Sequence, residues 1–109
     1  MMTIKAGEFW LAEIQYTSGV DAKKRPVLIL WLDGQDAIVA LVTSSQPRTN
    51  TDVLLDRWVE SGLRVASTVR LSRLDCLEQS LLSKKIGKLS ESDAVKLKKV
   101  WSEFIYLQF

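Results

Sequence analysis

Histidine is absent from this 109-residue sequence, and cysteine occurs only once, as Cys76. The absence of histidine excludes Ser-His-Asp and Cys-His nucleophilic sites and removes the commonest general base near neutral pH. One cysteine cannot form an internal disulfide bond, and without histidine it disfavours a zinc site. We therefore expect no metal and no cofactor, and any catalysis must use Arg, Lys, Asp, Glu, Tyr, Ser or Thr.

Long apolar runs, repeats and flexible linkers are missing as well. No apolar stretch approaches the roughly 20 residues that span a bilayer, and residues 1–6 lack the apolar core of a signal peptide. With two prolines and five glycines, the sequence has no linker-like segment. We expect a single soluble, cytoplasmic domain over residues 1–109. Its net charge of +2 is too small to identify a nucleic-acid-binding protein by itself.

Apolar periodicity predicts a mainly β chain. Residues 26–32 form a nearly continuous apolar run, which is typical of a strand buried on both faces. The pair Asp33-Gly34 predicts a hairpin turn before a return strand at 37–42. Other strands are expected at 9–16, 52–55, 68–74 and 84–89, with a polar loop at 44–51 and a short helical or irregular segment at 57–62.

A helix is predicted after Ser90. Ser90 and Asp93 resemble a capping box with Asp in place of Glu, and apolar residues then recur at helical spacing. We interpret Lys96, Lys98 and Lys99 as the solvated side of this helix, and Cys76 as an unreactive thiol. The pattern predicts a small barrel-like α+β domain whose antiparallel strands are closed by one C-terminal helix.

The segment Lys24-Arg25-Pro26 puts a cation at the start of the apolar run. Pro26 fixes its own φ and favours an extended conformation at Arg25. A guanidinium held on a rigid element is suited to binding phosphate or carboxylate. The alternative interpretation is a solvent-exposed basic turn formed by residues 23–25.

Hairpin geometry predicts that Thr43 lies near Arg25. Arg25 lies eight residues before Asp33, and Thr43 lies nine residues after Gly34, so the two ends of the hairpin should meet. A cation beside the hydroxyls of Thr43 and Ser44 can bind a phosphate and its ester oxygens. Because Thr and Ser are also common turn formers at strand ends, a purely structural role stays open.

Further basic residues follow in the next loop. Arg48 and Arg57 are placed to extend a basic groove along an RNA backbone. Their acidic neighbours Asp52, Asp56 and Glu60 favour ordinary solvated salt bridges instead. The RNA-groove interpretation predicts that single-stranded RNA contacts four residues besides Arg25 and Thr43, namely Lys24, Ser44, Arg48 and Arg57.

Five segments, in this order, resemble the PemK/MazF toxin family, and together they cover about residues 5–107. The segments are Gly7-Glu8-Phe9-Trp10-Leu11-Ala12, Lys24-Arg25-Pro26-Val27-Leu28-Ile29, Val42-Thr43-Ser44, Gly62-Leu63 with Ser67 and Val69, and Ile86-Gly87-Lys88-Leu89-Ser90.

The resemblance implies a compact SH3-like β-barrel with a terminal helix, usually a homodimer. It implies a metal-independent, sequence-selective endoribonuclease, which is the toxin of a type II toxin–antitoxin pair and is bound by a cognate antitoxin protein. The family's catalytic Arg and Thr fall on Arg25 and Thr43.

The implied chemistry needs no histidine, because RNA carries its own nucleophile in the 2′-hydroxyl. The positively charged guanidinium of Arg25 suits charge stabilisation and proton donation, while Thr43 positions the phosphate. The general base is unassigned among Glu13, Asp21 and Lys24. The competing function is a non-catalytic SH3-like module that binds nucleic acid or peptide at the same edge, because fold does not dictate function.

Overall fold

A computed structural model of the protein describes residues 3–14 and 23–109. Within these ranges the chain forms six strands, a short 3₁₀ turn at Gln79–Leu81 and one helix. The strands are β1 (Glu8–Ile14), β2 (Lys23–Asp33), β3 (Asp36–Thr43), β4 (Asp52–Leu54), β5 (Thr68–Glu78) and β6 (Leu82–Lys88), and the helix is α1 (Glu91–Phe104). The predicted mainly β, α+β chain with a C-terminal helix is confirmed.

All six strands belong to one antiparallel sheet in the order β4-β5-β3-β2-β1-β6. The two edge strands, β4 and β6, do not pair with each other in the described ranges, so hydrogen bonds do not close the sheet into a barrel. In this respect the architecture is more open than the barrel we expected.

The segment between β4 and β5 lies against β6. A Cβ atom added to Gly62, whose φ is +86°, would come within 2.5 Å of the Ile86 carbonyl oxygen. A Cβ added to Gly87 would overlap the Ser61 carbonyl oxygen. Only glycine allows the two backbones to approach this closely.

Two apolar clusters form on opposite faces of the sheet, because successive side chains of a strand alternate between faces. Phe9, Leu28 and Val69 belong to the cluster against which Leu97 of α1 packs. The cluster on the other face contains Trp10, Ala12, Val27, Ile29, Ala37, Val39, Leu77 and Leu82.

The expectation of a strand buried along all of residues 26–32 is wrong for its last part. Val27, Leu28 and Ile29 are buried, whereas Trp31 and Leu32 are 45% and 40% exposed. Toward the hairpin tip the strand is only partly covered. There the Trp31 ring contacts Trp101 of α1 edge to face, with 6.1 Å between ring centroids.

Helix α1 begins as predicted after Ser90, the N-cap residue, whose Oγ accepts a hydrogen bond from the Asp93 amide at 3.2 Å. The capping box is only half formed. The fully buried Asp93 carboxylate does not return to Ser90 but accepts hydrogen bonds from the amides of Asp56 and Arg57, at 3.0 and 2.9 Å. Asp93 therefore ties the loop after β4 to the helix.

One lysine of α1 departs from the predicted solvated side. The Lys96 amine donates to the Leu54 carbonyl at 2.7 Å and pairs with Asp56 at 3.5 Å, whereas Lys98 and Lys99 are exposed. Periodicity alone did not predict that the end of β4 lies under this part of the helix. Across the described residues, no helix combines the length and apolar character needed to cross a membrane.

Candidate nucleic-acid interface

The β2–β3 hairpin places Arg25 near the start of β2 and Thr43 at the end of β3. Both therefore lie at the end of the hairpin arms opposite the tip, and we call this end of the sheet the Arg25 edge. The hairpin loop is Gly34-Gln35, one residue later than the predicted Asp33-Gly34, and Gly34 takes the positive φ of +59° that this turn requires. Asp33 pairs with Asp36 beside the loop, but the register shifts by one residue between Ile29 and Trp31.

Beyond that bulge, Val27 pairs with Leu41. Continuing the same register by two residues sets Arg25 opposite Thr43. By strand alternation both side chains lie on the face that carries Val27 and Ile29. Arg25 is exposed and Thr43 is half-buried, so a ligand at this edge can reach both side chains.

Two of the three candidates for the general base lie on the other face of the sheet. Glu13 and Lys24 pair with each other across β1 and β2, while Arg25 pairs with Ala12. Side-chain alternation therefore directs Glu13 and Lys24 away from the Arg25 face. The third candidate, Asp21, lies outside the described residues.

The Thr43 hydroxyl is oriented by its own loop. Its Oγ accepts a hydrogen bond from the Ser45 amide at 3.2 Å. A threonine hydroxyl has one proton and two acceptor lone pairs, so the proton can be donated to a ligand. Ser44, between these two residues, is exposed at the end of β3.

Beside Thr43 is a small cavity of about 50 Å³ with a polar lining. At its base is Asp52, whose side chain is 1% exposed and whose carboxylate accepts from the Arg70 Nε at 3.2 Å and from the Arg48 amide at 2.9 Å. The lining residues are Leu41, Thr43, Ser45, Gln46, Arg48, Asp52 and Arg70.

Of the four predicted RNA-binding residues, Arg48 and Ser44 lie closest to this cavity, Arg48 in its lining and Ser44 between two lining residues. Arg57 lies elsewhere. Its amide is bound by Asp93, and its guanidinium pairs with Glu60 at 3.2 Å in a contact where both side chains are about 60% exposed. Lys24 is exposed on the opposite face from Arg25.

Sequence analysis missed Arg70. The strand prediction for 68–74 already implied that Arg70 faces away from its apolar neighbours Val69 and Leu71. The missing information was that β5 pairs with β3, which sets Arg70 opposite Leu41 and one strand across from Thr43.

Glu8, a buried acidic residue away from this site, is held by hydrogen bonds within the fold. Burial alone would raise the pKa of Glu8, but hydrogen bonds from the Lys85 amine, the Lys5 amide and the Trp10 indole outweigh it and lower the pKa.

The described residues contain no group of three or more His, Cys, Asp or Glu side chains suited to a metal ion. A larger cavity of about 530 Å³ lies between β2 and α1, away from Thr43, and its lining is mostly apolar.

Comparison with known proteins gives one family and one fold. Residues 5–105 match the family described as the PemK-like, MazF-like toxin of type II toxin–antitoxin systems. Curated protein sequences gave no significant match.

Among solved structures, an endoribonuclease from a mycobacterial species in complex with its cognate antitoxin has a TM-score of 0.77 and 13% identity, covering 98% of this chain and 99% of that one. The Mycobacterium tuberculosis toxin MazF-mt6 has a TM-score of 0.69 and 24% identity, covering 85% and 90%. MazF in a MazE–MazF crystal structure from Deinococcus radiodurans has a TM-score of 0.72 and 17% identity, covering 94% and 93%. These likenesses establish the fold over nearly the whole chain.

Proposed function

Because the chain belongs to the family of PemK-like and MazF-like toxins of type II toxin–antitoxin systems, we propose that it is a sequence-selective endoribonuclease that works without a metal ion. The observation that supports this proposal is the β2–β3 register, whose last pair is Val27 with Leu41. Continued by two residues, it sets Arg25 opposite Thr43 on one face, at the end of the hairpin arms. Solved structures of the same fold include an endoribonuclease bound to its antitoxin.

The chemistry follows from the two side chains. The RNA 2′-hydroxyl loses its proton to a solvent water as its oxygen attacks the adjacent phosphorus. The bond from phosphorus to the 5′-oxygen breaks, and the products carry a 2′,3′-cyclic phosphate and a 5′-hydroxyl. The Arg25 guanidinium stabilises the extra negative charge that develops on the phosphoryl oxygens and supplies the proton for the departing 5′-oxygen. The Thr43 hydroxyl, whose oxygen accepts from the Ser45 amide, donates its proton to a phosphate oxygen and fixes the orientation of the phosphate.

The RNA strand extends from this centre across the sheet edge. Arg48 and Ser44 contact it next to Thr43. Lys24 and Arg57 contribute at longer range, through the positive potential that attracts a polyanion.

We expect a single domain that forms a homodimer in the cytoplasm and is inhibited by an acidic antitoxin covering the Arg25 edge. A short open reading frame for a DNA-binding antitoxin next to this gene is the cheapest supporting observation.

The decisive experiment incubates the purified protein with a long RNA in EDTA and maps the cut ends. We expect cuts at a short recurring sequence, cyclic phosphate ends, and a loss of at least about 100-fold in cleavage rate for Arg25→Ala. Lys99→Ala, which removes an exposed positive charge from α1, is the matched control and should cleave normally. Tight RNA binding with no cleavage at high protein concentration would refute the nuclease and favour a non-catalytic binding module.

A further inference from the structure

We propose that Arg70 is a second phosphate-binding residue, which holds the RNA phosphate next to the one at Arg25 and Thr43. This inference rests on the proposed function, because it takes single-stranded RNA as the ligand of this edge. It adds a binding residue on β5 to a site otherwise built from β2, β3 and the loop that follows β3.

The register of the sheet places Arg70 beside the proposed centre. Thr43 pairs with Thr68, and Leu41 pairs with Arg70, so Arg70 lies diagonally across from Thr43 on the same face. Diagonal neighbours on one face of an antiparallel sheet are about 7–8 Å apart. A strand of RNA whose scissile phosphate lies at Thr43 therefore brings a neighbouring phosphate within reach of the long Arg70 side chain.

Asp52 holds the Arg70 guanidinium in position. A buried carboxylate is costly unless it is paired and hydrogen-bonded, and Asp52 meets this condition through Arg70 and the Arg48 amide. The ion pair is made through Nε at 3.2 Å. Within the described part of the chain, this leaves the two terminal nitrogens of Arg70, with four N–H groups between them, to donate to a ligand.

The charge balance of the cavity favours an anion. Asp52 and Arg70 cancel as a pair, and the Arg48 side chain adds a positive charge at the same lining. The cavity also presents the Thr43 hydroxyl. The Arg70 side chain is 21% exposed, and a planar guanidinium suits the paired oxygens of a phosphodiester. A cavity of about 50 Å³ is too small for a nucleobase but adequate for phosphate oxygens.

A purely structural role for Arg70, closing the β4–β5 edge through Asp52, makes a different prediction about salt. Each phosphate contact to a single strand contributes about 0.7 to the slope of log affinity against log salt. A residue that only supports the fold does not change that slope. The salt dependence of binding therefore separates the two roles even where both weaken affinity.

The test measures binding of a fluorescent single-stranded oligonucleotide that carries 2′-O-methyl groups and cannot be cleaved, at several salt concentrations. Arg70→Gln removes the charge while keeping a donor for Asp52. We expect its slope to fall by about 0.7 and its affinity to fall about tenfold, whereas the control Lys99→Ala matches wild type. An Arg70→Gln protein with the wild-type slope would overturn the proposal.

Arg70→Lys covers the possibility that the Gln variant does not fold. It retains the charge but lacks the planar guanidinium, so we expect an unchanged slope with affinity reduced a few-fold, and wild-type affinity would count against the proposal. The results distinguish failure of the Arg70 inference from failure of the nuclease proposal. Cleavage by wild type with no Arg70 effect on the slope refutes this inference alone, and an Arg70-dependent slope without any cleavage refutes the nuclease alone.

Discussion

Replacing Asp93 with alanine tests how strongly the loop after β4 is fastened to helix α1. The Asp93 carboxylate is fully buried and accepts two backbone hydrogen bonds, from Asp56 and Arg57. Hydrogen bonds to a charged group contribute about 1.5–3 kcal/mol each, and the alanine variant also leaves both amides without acceptors. We expect Asp93→Ala to lower the free energy of unfolding by about 3–5 kcal/mol.

That loss is a large part of the total free energy of unfolding, because domains of this size are stable by only about 5–15 kcal/mol. The assay is urea denaturation followed by circular dichroism, and the matching decrease in Tm is about 10–20 °C. Asp93→Asn keeps one acceptor oxygen but sets its amide group against a backbone N–H. Its loss of unfolding free energy should therefore be smaller than that of Asp93→Ala but greater than zero.

Glu91→Ala is the control for this series. Glu91 is also acidic and also in the first turn of α1, but it is exposed, so its loss should cost only the helix-dipole contribution of about 0.3–1 kcal/mol. An Asp93→Ala protein destabilised no more than Glu91→Ala would refute the assignment of Asp93 as the residue that holds this loop.

Three further predictions concern other parts of the molecule. Gly87→Ala should destabilise the fold by more than about 2 kcal/mol, because its Cβ would overlap the Ser61 carbonyl oxygen; thermal unfolding within 1 °C of wild type would contradict this contact. The lowered pKa of Glu8 means that its ion pair with Lys85 stabilises the fold above the ordinary glutamate pKa, and that this stability is lost as pH falls through the lowered value. Urea midpoints from pH 7 to pH 3 should therefore decrease less for Glu8→Gln than for wild type, and parallel curves would argue against it. Desolvation and nearby carboxylates raise the pKa of the Cys76 thiol, so its iodoacetamide labelling at pH 8 should be slower than that of a free cysteine peptide, and faster labelling would disprove the raised pKa.

The hairpin and its consequence for Arg25 and Thr43 were predictable from sequence because the interactions are local. An Asp-Gly pair between two apolar runs fixes a turn, and the length of each arm then determines which residues meet. Even so, a regular pairing that started from Asp33 and Asp36 would have set Ser44 opposite Arg25. The bulge between Ile29 and Trp31 moves Thr43 into that position, and no feature of the sequence marks it.

The parts that sequence analysis missed depend on contacts between distant segments. Arg70 reaches the proposed site only because β5 pairs with β3, and Lys96 reaches the end of β4 only because α1 packs there. In the sequence Asp93 resembles part of a helix cap. Its carboxylate instead accepts a hydrogen bond from the backbone of a segment more than 30 residues earlier in the chain. Periodicity indicates which side of an element is apolar but not which element will cover it.

The bulge in β2 also determines which length changes the hairpin tolerates over evolution. Residues can be added at the Gly34-Gln35 tip while the arms keep their pairing, and such insertions leave Arg25 opposite Thr43. A single deletion between Arg25 and the bulge, for example at Leu28, would shift the pairing by one residue and exchange Thr43 for Val42 as the partner of Arg25. Related sequences should therefore vary in length at the tip and preserve the spacing between Arg25 and the bulge.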